Sequence, residues 1–324
     1  MKIVHREFMP SRTNSVHAAS VEFYNDIPYF AWFGGMREGF PDSSIYIQKL
    51  DNQYEFDIGQ IAQWNPILVK MQDRLVLFSK VGQFCDRWNT LVNDITDIDN
   101  INCLEKFSNY SVLPAGLNAS VKTRPIEFED SWYFGASTET FMNWNSYIER
   151  YYVDPVEDFF KNPSSCLVSN FLIPKWTLGE KALSSPRNKG LIQPALWWGE
   201  IGPEAFMRSD LGYIYYWSPF ENYAIQTQFE NPNSGIDVVK HNGFLYLAYN
   251  PSKESRVPLH VAKIKQDEEH FEIIETIVIG DKVIKEALTN ELSYPYMIEH
   301  DGRLHLTYTN GRCKIEYVVI DLED

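Results

Sequence analysis

One pattern recurs along the sequence: an apolar strand, a two-residue polar turn, then a second strand rich in aromatics. The turns fall at Asn25-Asp26, Gln72-Asp73, Glu129-Asp130, Asn242-Gly243 and Asp301-Gly302. Asn-Gly and Asp-Gly accept the positive φ that a tight hairpin demands, and aromatic and β-branched flanks suit a pleated, half-buried surface. The first unit covers residues 19–50. Later units open at Pro66-Ile67-Leu68-Val69, Arg124-Pro125-Ile126, Gln193-Pro194-Ala195, Ile236-Asp237-Val238 and Tyr296-Met297-Ile298. Six units of this size predict an all-β, six-bladed propeller, with sheets set radially about an axis. The run from Ile3 to Phe8 is expected to pair with the last blade and close the ring. The longest insertion lies between units three and four, and within it Val156–Lys161 reads as a short helical turn. No Gly-, Ser- or Pro-rich linker interrupts the chain, so one domain is expected over 1–324. A pair of β-sandwiches is the competing architecture.

Charge and cysteine usage narrow the function. The formal net charge is −15 over 324 residues, which argues against nucleic acid and anionic membrane surfaces as partners. It leaves room for an acidic ligand held by a local arginine cluster. Cys85, Cys103, Cys166 and Cys313 show no C-x-x-C spacing, so no metal site and no cofactor is expected. The opening MKIVHREF has no apolar core and no run approaches about 18 apolar residues, so a cytoplasmic protein is expected.

The polar residues that stand out sit at equivalent points of the units. His17, Asn65, Lys122 with Arg124, Gln193, Asn233 with Asp237, and Tyr294 lie at the starts of the first strands. Arg37, Glu38 and Asp42, then Lys80, Glu139, Arg208, Asn250 with Arg256, and Arg312 follow the second strands. Taken singly, an Arg or Asp at a strand end usually caps or pairs; the recurrence at the channel end of every blade is what points to a site. The chemistry suits an anionic sugar. Arginine grips a carboxylate in a bidentate fork, and Asn, Gln and His suit hydroxyls. A carboxylate pair, Glu38 with Glu139 or Asp42 with Asp237, has the make-up of a general acid and base.

Ordered fragments spread over nearly the whole chain carry a resemblance. They are His17-Ala18, Phe33-Gly34-Gly35 with Glu38-Gly39 and Pro41-Asp42, Trp64-Asn65-Pro66, Lys80-Val81-Gly82, Ser137-Thr138-Glu139, Ile192-Gln193-Pro194, Arg208-Ser209, Asn231-Pro232-Asn233-Ser234-Gly235, Tyr249-Asn250, Ser293-Tyr294-Pro295 and Thr307-Tyr308-Thr309. In these the chain resembles the sialidase-like BNR-repeat proteins, often labelled predicted neuraminidases. The resemblance implies a six-bladed propeller with its site at the channel mouth. Sialidases carry an Arg-Ile-Pro motif near the start, where this chain has Ser15-Val16-His17-Ala18. They place a tyrosine nucleophile before the last blade, where this chain has Leu292, with Tyr294 two residues on. Their Asp-box turns correspond to the degenerate Leu50-Asp51-Asn52-Gln53 and Lys265-Gln266-Asp267-Glu268.

The resemblance implies a glycan-active enzyme, a glycoside hydrolase acting next to an acidic sugar in an oligosaccharide or glycoconjugate. Arg208, Arg256 and Arg312 are expected to neutralise the carboxylate. Glu38 or Asp42 is expected to serve as acid/base, assisted by His17 or Tyr294. Arg37, Asn65, Lys80, Lys122, Glu139, Gln193, Asn233, Asp237 and Asn250 complete the expected binding set. Two alternatives stand beside this reading: a polysaccharide lyase using His17 or Tyr294 as base, and a sugar-binding propeller without catalysis.

Overall fold

The computed structural model describes all residues except 104, 105, 109, 141, 142, 175–188, 222, 323 and 324. Part of the long insertion between units three and four therefore lies outside the described residues. The chain forms a six-bladed β-propeller, each blade an antiparallel sheet of four consecutive strands in its simplest form. Blade one is Ser15–Tyr24, Ile27–Gly35, Ser44–Lys49 and Asn52–Phe56, with the short strand Lys106–Phe107 added in parallel at its outer edge. Blade two is Gln63–Met71, Arg74–Val81, Asn89–Asp94 and Ser111–Val112. Blade three is Ile126–Phe128, Ser131–Glu139, Trp144–Tyr152 and Leu167–Leu172. Blade four is Leu191–Trp198, Pro203–Ser209, Tyr213–Trp217 and Ile225–Glu230; blade five is Asp237–His241, Phe244–Tyr249, Leu259–Asp267 and His270–Gly280. Blade six is Leu292–His300, Arg303–Asn310 and Lys314–Asp321, and its fourth strand is the N-terminal Lys2–Phe8. The first and last strands of the chain thus share a sheet, which fastens the ring.

The five expected two-residue turns all join first and second strands. Asn25, Asp26, Gln72, Glu129, Asn242 and Asp301 adopt φ between 48° and 58°, the left-handed region that hairpin turns of this hand require. Val156–Lys161 is a short α-helix packed under blades two and three, with Val156 and Phe159 buried. Between blades the cores are aromatic: Phe78 meets Phe134 edge-on at 5.2 Å, and Phe206 meets Phe271 at 5.0 Å.

The first strands line the axis and bond to one another. Ser20 Oγ of blade one accepts from the Leu68 N–H of blade two, and the Tyr296 hydroxyl of blade six donates to the Leu68 carbonyl. Thr123 Oγ1 donates to the Pro194 carbonyl at 2.5 Å. Gly135 sits where a Cβ would overlap that same carbonyl oxygen, so blades three and four approach closely only because the side chain is missing. Three first strands start earlier than the sequence suggested, at Gln63, Leu191 and Leu292 rather than Pro66, Gln193 and Tyr296. A proline lacks the N–H for a ladder and so reads as a strand start; here each proline lies inside a strand, at a bulge.

Candidate functional site at the channel mouth

Those bulges build the site. Six non-glycine residues near the start of the innermost chain of each blade have left-handed φ: Ala18 (52°), Asn65 (42°), Ala119 (47°), Gln193 (55°), Asn233 (56°) and Tyr294 (56°). In blades one, two, four and six the ladder skips register there, between His17 and Ser20, Trp64 and Ile67, Ile192 and Ala195, and Ser293 and Tyr296. A non-glycine residue in this region costs about 1–3 kcal/mol, so a device repeated around the ring is held by the surrounding packing. It brings a polar side chain to the same end of the channel in blade after blade.

Three arginines from three blades meet there. Arg208 Nη1 and Arg256 Nη2 both donate to the Asn233 carbonyl, at 2.9 and 3.1 Å. Arg256 Nη1 pairs with Glu291 Oε2 at 3.1 Å, while Arg312 Nε pairs with Oε1 of the same carboxylate and Arg312 Nη1 with Glu38. Arg208 Nη2 donates to the Tyr294 hydroxyl at 3.2 Å and its guanidinium lies 5.4 Å from the centre of that ring. Lys122, from blade three, approaches from below: its Nζ donates to the Pro295 carbonyl at 2.6 Å and lies 5.8 Å from the Tyr294 ring centre.

His17 sits in the middle of these charges. Its ring is 4.2 Å from that of Tyr294, Nδ1 lies 2.9 Å from Thr309 Oγ1, and Nε2 has no protein partner among the described residues. Burial drives its pKa well below the ordinary imidazole value, and Arg312, Arg256, Lys122 and Arg208 all push the same way. Burial thus favours the neutral ring, whose Nε2 is buried and unpartnered among the described residues. Two buried charges nearby, Asp237 and Lys122, act on each other. Burial pushes Asp237 up to about 6, against the pull of Lys122 and the N–H groups of Met297 and Val238. Burial pushes Lys122 down to about 8, with Asp237 opposing and Arg208 adding to the shift. Gly235 gives Tyr294 its space, since a Cβ there would stand 3.2 Å from the ring.

The family model for the BNR repeat-like domain matches residues 29–306. The chain belongs to the BNR repeat-like family. A search of curated protein sequences finds no match. Among solved structures, this BNR repeat-like propeller is similar to Trypanosoma rangeli sialidase in complex with the inhibitor DANA, at 10% identity and TM-score 0.57 over 95% of this chain and 55% of that one. It is similar to the same organism's sialidase in complex with sialic acid, at 9% identity and TM-score 0.56 over 99% of this chain and 57% of that one. It is also similar to a subtype N10 neuraminidase-like protein of A/little yellow-shouldered bat/Guatemala/060/2010, at 7% identity and TM-score 0.56 over 98% and 99% of the two chains. The chain spans about half the length of the trypanosomal sialidases it matches. At these identities the likeness is one of fold.

Within the BNR repeat-like ring, His17, Glu38, Lys122, Arg208, Asn233, Arg256, Tyr294 and Arg312 converge, and Asp237 supports them from below. The other expected residues are engaged elsewhere. Asp42 is exposed and its Oδ2 accepts from the Met36 N–H at 2.7 Å, closing its own loop; it pairs neither with Asp237, which is buried, nor with the arginines. Arg37 is exposed, 5.8 Å over the Phe40 ring. Lys80 is buried and donates to Thr90 Oγ1 at 2.7 Å and to the Asn118 carbonyl, joining blade two to the approach to blade three. Asn250 donates to the carbonyls of Arg256, Pro258 and Leu292, which fixes the Arg256 loop. Asn65 is buried at its bulge. Glu139 accepts from Gln193 Nε2 at 3.0 Å and Ser137 Oγ at 3.3 Å. Arg124 faces the other end of the channel, beside Glu22. Leu292, which sits at the place expected for the nucleophile, is wholly buried in apolar contacts, whereas Tyr294 reaches the site.

Glu291 and Thr309 are the functional residues that sequence reasoning missed. Glu291 joins two arginines and accepts from Ser293 Oγ at 3.1 Å. Its signal was indirect: Arg256 and Arg312 need a counter-charge once partly buried, and an acid two residues from a Ser-Tyr-Pro bulge was available.

Proposed function

We propose that this BNR repeat-like protein is a glycan-active enzyme that binds a carboxylate-bearing sugar at the channel mouth and hydrolyses the glycosidic bond beside it. The observation that carries this reading is the joining of Arg208, Arg256 and Arg312 through one backbone carbonyl and one carboxylate, next to Tyr294. Guanidinium groups held in fixed orientation recognise a carboxylate bidentately. In this reading Tyr294 supplies the attacking oxygen, its phenolate form favoured by the Arg208 guanidinium on its hydroxyl and its proton passing to bulk water, with neutral His17 packed against its ring. Glu38, on the exposed rim, is released from Arg312 when the substrate carboxylate takes its place, protonates the departing group, and then takes the proton of the water that cleaves the sugar from Tyr294. Asp42, tied into its own loop, takes no part. The whole chain, 1–324, is read as one domain because its two end strands complete a single ring. The test is incubation with a panel of glycosides of sialic and uronic acids, with products separated and identified. Release of free acidic sugar supports hydrolysis. Binding without turnover across the panel leaves a sugar-binding propeller instead.

A second reading, a uronate lyase, has its own observation. β-Elimination needs the substrate carboxylate neutralised and a base at the adjacent carbon. His17 is held neutral by burial among four cations, and its buried Nε2 has no protein partner among the described residues. An absorbing unsaturated product in the same incubations favours it, and a saturated product removes it.

A further inference from the structure

The first strands run from the arginine cluster to the far end of the channel, where a cavity of about 620 Å3 opens. His17 and Glu22 belong to one strand, and Gln193 and Trp198 to another; five residues at a rise of about 3.3 Å put roughly 16 Å between the two ends. The cavity is therefore a different place from the mouth. Its walls carry Lys70, Arg124 and Lys240 against Glu22 and Glu127. That is an excess of positive charge inside a protein of net charge −15. A concave, locally basic site in an acidic protein concentrates anions.

Arg124 is the residue that asks for a ligand. It makes no hydrogen bond among the described residues, and its Nε is buried without a partner. Its ion pair is long, 3.7 Å from Nη2 to Glu22 Oε2. The Glu22 oxygens already accept from the N–H groups of Phe23 at 2.9 Å and Lys70 at 3.3 Å. The Arg124 side chain is 37% exposed, so its outer nitrogens reach the cavity while the buried Nε lacks an acceptor, and an oxyanion supplies two acceptors in the geometry of the fork. Lys70 and Lys240 stand exposed on the rim, Lys240 held by a 2.9 Å hydrogen bond to the Trp198 carbonyl.

We propose that this cavity is a second ligand site, taking a small molecule through a carboxylate or phosphate group, with Arg124 as the fork and Lys70 and Lys240 as the rim. Isothermal titration of the full chain carrying Arg208→Ala, which removes the grip of the mouth on acids, with inorganic phosphate and with glucuronate tests it and separates the two sources of the oxyanion. At least one probe binds, and Arg124→Gln weakens it by about tenfold or more, the loss of a charge-assisted pair. The double variant Lys70→Ala/Lys240→Ala weakens the same binding several-fold. If Arg124→Gln does not fold, the double variant decides, because both lysines are exposed. Absence of binding by both probes overturns the proposal, as does binding unchanged in every far-end variant that folds.

Discussion

Glu291 is the keystone of the arginine cluster, and its removal has a calculable effect. The side chains involved are only 11% (Glu291), 26% (Arg256) and 16% (Arg312) exposed, so solvent screens them little. Glu291→Gln keeps the shape and removes the charge that pairs with both guanidinium groups. Two charge-assisted hydrogen bonds at about 1.5 kcal/mol each give a loss of about 3 kcal/mol. A chain of 324 residues unfolds with an entropy of roughly 0.7 kcal/mol/K at about 2.1 cal/mol/K per residue, so Tm falls by roughly 4 °C. Glu38→Gln is the internal comparison. Glu38 pairs with the same Arg312, yet its side chain is 38% exposed, and an exposed pair is worth no more than about 1 kcal/mol. Calorimetric unfolding of both variants measures the contrast. If Glu291→Gln costs no more than Glu38→Gln, the cluster is not organised around Glu291 and the reasoning fails.

Three further outcomes are expected. Tyr294→Phe keeps the fold and the affinity for an acidic sugar, while turnover drops by about a hundredfold or more, the usual contribution of such a group; steady-state kinetics with a full-activity variant contradicts its role. Gly235→Ala places a Cβ 3.2 Å from the Tyr294 ring and displaces it, at a cost of about 1–3 kcal/mol; turnover falls while circular dichroism stays native, and unchanged kinetics counts against the packing described. Burial pushes Lys80 from its ordinary 10.5 down to about 7, so between those values the unfolded chain holds a proton that the native chain lacks. Its penalty on stability is full below pH 7 and relieved as pH rises, by up to about 1.4 kcal/mol per unit. Denaturant unfolding at pH 7 and 9 should show the wild type gaining stability relative to Lys80→Met, and an equal change in both proteins refutes it.

The architecture was largely legible in the sequence because it is written in local chemistry. Asn242-Gly243 and Asp301-Gly302 announce hairpins through their backbone preference, and the alternation around them fixes which strands pair. Closure of the ring by Lys2–Phe8 followed from counting strands in the last unit. Strand starts were misread at Pro66, Gln193 and Tyr296 because a bulge residue with left-handed φ interrupts the ladder there without ending it. Those same positions carry Asn65, Gln193 and Tyr294, so a local irregularity marked the functional end of the blades. The partition of polar residues was not legible. Lys80 and Asn250 occupy equivalent places to Arg208 and Arg256, yet they satisfy carbonyls of neighbouring loops, and only the packing decides which. Asp42 shows the same dependence on packing: its carboxylate turns back to Met36 within its own loop, a choice that depends on backbone direction.

The claim on which the account rests is recognition of a carboxylate by the three arginines. Calorimetric titration with N-acetylneuraminate glycosides, against the methyl esters of the same compounds, tests it with one atom group changed. The account predicts that an acid binds at least about tenfold more tightly than its ester, as expected for charge-assisted bonds, and that Arg208→Ala abolishes the difference. Esters that bind as well as the acids, or a preference that survives Arg208→Ala, would contradict it.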